Sequence, residues 1–254
     1  MRRECRVPRP GSVFIFKSGI ARHADLSDNA VVSVSRHMAL KPRSHLFRVG
    51  AMPTSRIEAF SDGVFAIVIT LLILSIQVPP INGDPGRVLG GALLGMIPKF
   101  LSYTLSFGII CIWWVAHHHL YILIAKTDRG LLWLNSLFLF FLASVPFPTA
   151  LLGDFPRQRV AVVAYGAVMA LAGLSFSSMR FYAFYIGKLT IPGIDRTLLK
   201  RAMLKSALNP TLHVIAVALA WVNTTASLVL YVAIPLLFFI PTRLERISMA
   251  DDER

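Results

Sequence analysis

Residues 56–78 read RIEAFSDGVFAIVITLLILSIQV, an apolar run that opens with polar side chains. The run is as long as the roughly 20 residues that a helix needs to cross a bilayer. Its first two turns hold Arg56, Glu58, Ser61 and Asp62. The stretch therefore predicts a membrane-spanning helix with one polar end, and that end needs an explanation.

The whole chain is unusually apolar for its length. Of its 254 residues, 55% are hydrophobic and 15% are charged, and the mean hydropathy is +0.63. That is more apolar surface than one water-soluble core of this size needs. We predict an all-α integral membrane protein with six transmembrane helices per subunit, at residues 56–78, 89–115, 131–152, 159–185, 204–222 and 225–242.

The net charge of +13 is concentrated outside these segments. Residues 1–50 hold 10 of the 26 Lys and Arg residues but 3 of the 13 Asp and Glu residues. We predict a basic, disordered extension at 1–50, a transmembrane domain at 51–246 and a short charged tail at 247–254. Basic loops mark the cytoplasmic side, so we expect a plasma-membrane protein with both termini in the cytoplasm and no nucleic-acid partner.

The polar side chains of the first segment need partners on other helices. An aspartate at membrane depth costs roughly 2.5 kcal/mol or more unless it faces protein or water. At 100 degrees per residue, Ser61 and Asp62 turn about 140 and 240 degrees away from Arg56, so no simple i, i+4 pair forms. Candidate partners lie at the matching ends of the second and third segments: Trp114, His117, His118 and Asn135.

The apolar remainder of the first segment contains one notable row. Ile67, Leu71 and Leu74 follow i, i+4, i+7 spacing and share a face, with Thr70 beside them. On an isolated helix such a row is a packing stripe. In a symmetric oligomer with this helix nearest the axis, it becomes stacked rings that form a hydrophobic constriction.

Other features have simpler interpretations. Adjacent histidines at 117–119 point about 100 degrees apart and do not have the spacing of metal ligands, so we predict no metal site. Lys99 and Arg180 are interpreted as side chains that snorkel to the membrane surface. No catalytic group or cofactor-binding motif is evident, so we do not expect an enzyme.

Two further functional classes stay open at this stage. A small-solute or proton-coupled transporter would make flux sensitive to substitution of Asp62. A non-conducting membrane scaffold would recruit anionic partners through the basic extension, so deletion of residues 1–50 would abolish its function. The same deletion would leave a channel conducting.

The first segment also carries a family resemblance. Arg56-x-x-x-Phe60-Ser61-Asp62, followed by Gly-Val-Phe-Ala-Ile-Val-Ile-Thr-Leu-Leu, resembles the opening signature of the bacterial transmembrane protein 175 family, potassium channels related to a lysosomal channel. The similarity continues through Ser106-Phe107, Trp114-x-x-His117-His118, Asn135 and Pro146-Phe147-Pro148-Thr149.

The resemblance implies a homotetramer whose central pore is lined by the first helix, with K⁺ as permeant ion and no cofactor. It places Ile67, Leu71 and Leu74 at the pore constriction and gives Thr70 a part in selectivity. It also implies a structural network that holds the pore helix, made of Arg56, Phe60, Ser61, Asp62, Trp114, His117, His118 and Asn135. The expected partners are other copies of the chain, membrane lipids and potassium ions.

Overall fold

The computed structural model describes residues 54–238, which are almost wholly helical. The helices are α1 (Thr54–Leu74), α2 (Pro85–Gly95), α3 (Ile97–Ile122), α4 (Arg129–Ser144), α5 (Pro146–Asp154), α6 (Arg159–Phe181), α7 (Arg196–Ala220) and α8 (Thr224–Phe238). A π-helical turn at Tyr182–Ile186 continues α6. The predicted extension at 1–50 and tail at 247–254 lie outside the described residues.

Five helical stretches in this part of the chain are long and apolar enough to cross a membrane. They are α1, α3, α4 continued by α5, α6 continued by the π-helical turn, and α7. The chain is therefore a multi-pass membrane protein, and it is all-helical over residues 54–238. The sixth predicted segment, 225–242, corresponds to the shorter apolar helix α8, and residues 239–242 lie outside the described range.

The structure corrects the bounds of the second segment, predicted at 89–115. The apolar run is divided at Met96, whose backbone N–H bonds to the carbonyls of Leu93 and Leu94 and closes α2. Helix α3 restarts beside Pro98, a residue suited to the first turn of a helix. It then continues to Ile122, past the histidines at 117–119 that follow the predicted end at 115.

Helix α6 lies at the centre of the packing, between α4 and α7. Small residues let its neighbours approach closely, as expected between membrane helices. A Cβ added at Gly166 would overlap the Tyr231 hydroxyl and approach a Val217 methyl, and one added at Gly173 would lie 2.6 Å from Asn209 Oδ1. Gly166 and Gly173 therefore set the distance from α6 to α7 and α8.

Two loops meet at the end of α6. The loop after α3 and the loop after α6 form an isolated antiparallel bridge between Ile124 and Thr190. Beside it, the Tyr182 hydroxyl donates to Asp128 Oδ2 at 2.8 Å, while Asp128 Oδ1 caps α4 by accepting from the Leu131 amide. These contacts place the ends of α3 and α6 and the start of α4 on the same side of the membrane.

Substitution of Gly166 by Ala tests the close approach around α6. Overpacking a well-filled core costs about 1–3 kcal/mol, so we expect a lower thermal unfolding temperature in detergent. Gly108→Ala on α3 is the matched control, because no atom beyond its own helix lies within 4 Å of the new methyl. Equal unfolding temperatures for the two variants would contradict the packing described for α6.

Candidate functional site

Helix α1 packs against the rest of the subunit along one stripe. Its buried residues follow helical spacing and form a single face: Ile57, Ser61, Phe65, Val68 and Leu72. This face contacts α3, α4 and α5. Ser61 is the polar member of the stripe and is fully buried.

A buried polar cluster joins α1, α3 and α4 at the Asn135 side chain. Asn135 Nδ2 donates to Ser61 Oγ at 3.0 Å, and Asn135 Oδ1 lies 3.0 Å from His117 Nε2. Since an amide oxygen only accepts, His117 donates from Nε2 in this arrangement. The His117 ring is enclosed by Phe65, Tyr121 and Phe138. The structure thus brings together three residues that the sequence analysis named separately.

A second contact between α1 and α3 lies on the exposed side of this cluster. Trp114 Nε1 donates to Asp62 Oδ1 at 2.9 Å. The ring of His118, also exposed, stacks on Trp114 with centroids 6.4 Å apart. Asp62 therefore has a partner although it does not face the packed stripe.

Arg56 and Phe60 lie apart from these contacts. Arg56 is exposed and makes no hydrogen bond or ion pair within residues 54–238. Phe60 is exposed as well, on the same side of α1 as Ile67. Within one subunit, therefore, neither residue joins the cluster around Asn135.

The predicted row on α1 lies on the face that the subunit leaves uncovered. The exposed fractions of Ile67, Leu71 and Leu74 are 59%, 43% and 69%. Thr70 is also exposed, and its hydroxyl donates to the carbonyl of Ile67 at 2.8 Å within the same helix. The row is thus available to lipid, to another subunit or to a pore.

The part of the chain that the structure describes contains no candidate metal site. Within residues 54–238, no three His, Cys, Asp or Glu side chains are grouped so that they could hold a metal ion. His117 is bonded to an amide instead, and His118 stacks on an indole. Both histidines thus take part in side-chain packing or hydrogen bonding.

Arg180 is the buried charge whose role the sequence analysis missed. The snorkelling interpretation is wrong, because the residue is buried and its guanidinium bonds to helix backbones. Nη1 donates to the Ala202 carbonyl at 3.1 Å and Nη2 to the Ala116 carbonyl at 3.2 Å, above the ring of Phe176. Arg180 thereby joins α6 to α7 and α3 near the Asn135 cluster. Lys99, the other residue interpreted in this way, pairs with Asp154 at 2.6 Å.

Another polar cluster lies nearer the start of α3, around Ser106. The hydroxyls of Ser106 and Thr149 are 2.8 Å apart, and Ser106 Oγ donates to the Tyr165 hydroxyl at 3.3 Å. All three side chains are buried. The sequence contained a signal for this contact, since Ser106 and Thr149 belong to the quoted motifs, but spacing alone does not pair residues that are 43 positions apart.

The chain is similar to known ion channels. Residues 56–146 match the family described as endosomal/lysosomal potassium channel TMEM175. A protein from Streptomyces collinus named a potassium channel is 38% identical over 179 residues, which cover 69% of this chain and 86% of that relative. A human protein named endosomal/lysosomal proton channel TMEM175 is 41% identical over 109 residues, or 41% of this chain and 22% of that relative.

The fold of the chain is also similar to that of a known channel. The crystal structure of a lysosomal potassium-selective channel TMEM175 homolog from Chamaesiphon minutus is similar, with a TM-score of 0.66 and 34% sequence identity. The match covers 74% of this chain and 96% of that chain. The similarity therefore extends well beyond the α1 motif.

Substitution of Asn135 by Ala tests the buried cluster. It removes two bonds and leaves Ser61 and His117 without these partners, so we expect a loss of about 1–3 kcal/mol in unfolding free energy. Ser136→Ala is the matched control, since the exposed Ser136 bonds only to the Leu132 carbonyl of its own helix. Unfolding of both variants in mixed micelles measures the difference in their unfolding free energy. A loss in Ser136→Ala as large as in Asn135→Ala would contradict the assignment.

Proposed function

This chain belongs to the TMEM175 family of ion channels, and we propose that it is a potassium-selective channel that conducts through a hydrophobic constriction on α1. The family consists of channels rather than enzymes, and the helices of this chain cross the membrane several times. In the proposal K⁺ is the permeant ion, no cofactor takes part, and residues 51–246 form the channel domain between the basic extension and the tail.

The observation that carries the proposal is the uncovered apolar face of α1. Ile67, Leu71 and Leu74 are exposed and lie outside the packed stripe, about 110 degrees around the helix from its centre. Stacked rings of bulky aliphatic side chains exclude water and gate ion flow by dewetting. Thr70 adds one hydroxyl beside the rings, and we assign it a part in selectivity.

One helix cannot enclose a pore, so the proposal requires several copies of the chain. We propose a homotetramer with α1 nearest the axis, six transmembrane helices in each subunit, and both termini on the cytoplasmic side of the plasma membrane. Basic loops at the α1 start, the α3 end and the α6 end support that orientation under the positive-inside rule.

We assign the polar start of α1 to anchoring the pore helix. The bonds from Ser61 to Asn135 and from Asp62 to Trp114 support this role, because they attach α1 to α4 and α3. His117 and His118 extend the contacts on α3. Arg56 and Phe60 are exposed in one subunit, so we propose that their partners belong to the assembled channel.

Proton conduction is the second candidate function. The observation that favours it is the human relative, which is 41% identical over 109 residues and is named a proton channel. A constriction that passes K⁺ and one that passes H⁺ would use the same face of α1. The ion that is carried therefore has to be measured directly.

Ion flux from liposomes containing the purified protein tests the proposal. We expect K⁺ efflux down a gradient, measured together with H⁺ movement by a pH-sensitive dye. Ile67→Ala should increase the K⁺ flux severalfold or lower its preference for K⁺ over Na⁺, because a smaller side chain widens the ring.

Ile73→Ala is the matched control for the flux measurement. Ile73 lies on the same helix about 120 degrees from Ile67 and is also exposed, at 44%. We expect its flux to equal that of the unmodified chain. An equal change of flux in the two variants would show that Ile67 does not form the constriction. Flux of H⁺ without K⁺ would establish proton conduction instead.

A further inference from the structure

An apolar groove runs along the outer surface of α6 and α7. It encloses about 770 Å³, and its walls include Leu134 of α4, Leu174 and Phe181 of α6, and Met203, Ala207 and Ile215 of α7. Leu174, Phe181 and Ile215 are exposed at its rim. The groove is therefore open toward the surroundings of the subunit.

The length of the groove matches one leaflet of a bilayer. From Met203 to Ile215 the α7 wall extends about 18 Å at 1.5 Å per residue. Half of the hydrocarbon core of a bilayer is about 15 Å thick. An open apolar groove at this depth contacts hydrocarbon rather than water, so a lipid acyl chain fits both its chemistry and its length.

The α7 wall of the groove continues into a basic end. Five residues of α7 follow i, i+4, i+7, i+11, i+18 spacing and therefore lie within about 60 degrees on one face of the helix. They are Arg196, Lys200, Met203, Ala207 and Val214. Lys200 lies about 4.5 Å below Met203 along the helix. The basic pair is thus on the helix face that forms the groove.

The two cations are available to an anion. Both side chains are exposed, and the ion pairs formed within residues 54–238 include neither of them. The neighbouring carboxylate of Asp195 caps α7 by accepting from the Thr197 amide at 2.9 Å. Arg196 and Lys200 therefore present positive charge where the groove leaves the apolar layer.

We propose that this groove is a binding site for an anionic phospholipid, with one acyl chain along α6 and α7 and the phosphate held by Arg196 and Lys200. The charge favours a lipid over a second copy of the chain. One part of the argument rests on the proposed function: with α1 at the axis, α7 lies away from it, because α7 packs mainly on α6 and α8.

Native mass spectrometry of the full-length protein tests the site. The protein is loaded with equal amounts of phosphatidylglycerol and phosphatidylcholine that carry identical acyl chains, and the retained lipid is counted. We expect phosphatidylglycerol to be preferred and Lys200→Gln to reduce that preference about fivefold, the effect of one basic side chain near an anionic lipid. Ala207→Phe, which fills the groove, should reduce retention of phosphatidylglycerol as well.

Arg201→Gln is the matched control. It removes the same charge from the neighbouring position, which points about 100 degrees away from Lys200, and it should leave the preference unchanged. Equal retention of the two lipids, or an equal loss in Arg201→Gln, would overturn the proposal. So would an oligomer that dissociates in Ala207→Phe, since a second copy would then cover the groove. The readout needs no ion flux, so it is independent of whether the channel conducts K⁺.

Discussion

The Asn135 amide gives α1 a preferred rotation within the subunit. Because α1 carries apolar side chains on nearly every face, hydrophobicity alone does not decide which face packs inward. A side-chain hydrogen bond between helices in a bilayer is worth about 1 kcal/mol, so the bond from Asn135 favours the rotation in which Ser61 faces it, and Asn135 also holds His117. Once Ser61 faces inward, the row containing Ile67 faces outward. The uncovered face is thus favoured by the buried bond between Ser61 and Asn135.

The other buried polar groups repeat this principle at different places in the subunit. Ser106 joins α3 to α5 and α6 through Thr149 and Tyr165, and the Tyr231 hydroxyl joins α8 to the Val162 carbonyl at 3.0 Å. Arg180 also joins helices, through the hydrogen bonds of its charged guanidinium. Helices that associate inside a bilayer gain little from hydrophobic burial, so small residues and polar contacts determine which faces meet.

Much of this arrangement could be predicted from the sequence, but not all of it. Apolar length located the membrane segments, and the polar residues of α1 indicated partners at the ends of α3 and α4. The break at Met96 was missed because apolar composition continues through it. Helix α7 begins at Arg196, earlier than predicted, because its first turns are basic and read as a loop. Arg180 was misinterpreted because charge near a helix end says nothing about the carbonyls of neighbouring helices.

The bond between Ser61 and Asn135 has a consequence for the synthesis of the chain. The two residues are 74 positions apart, which at roughly 5–20 residues per second corresponds to about 4–15 s of translation. During this interval Ser61 has been made while the residue that will hold it has not. The bond that favours one rotation of α1 therefore becomes available only when α4 arrives.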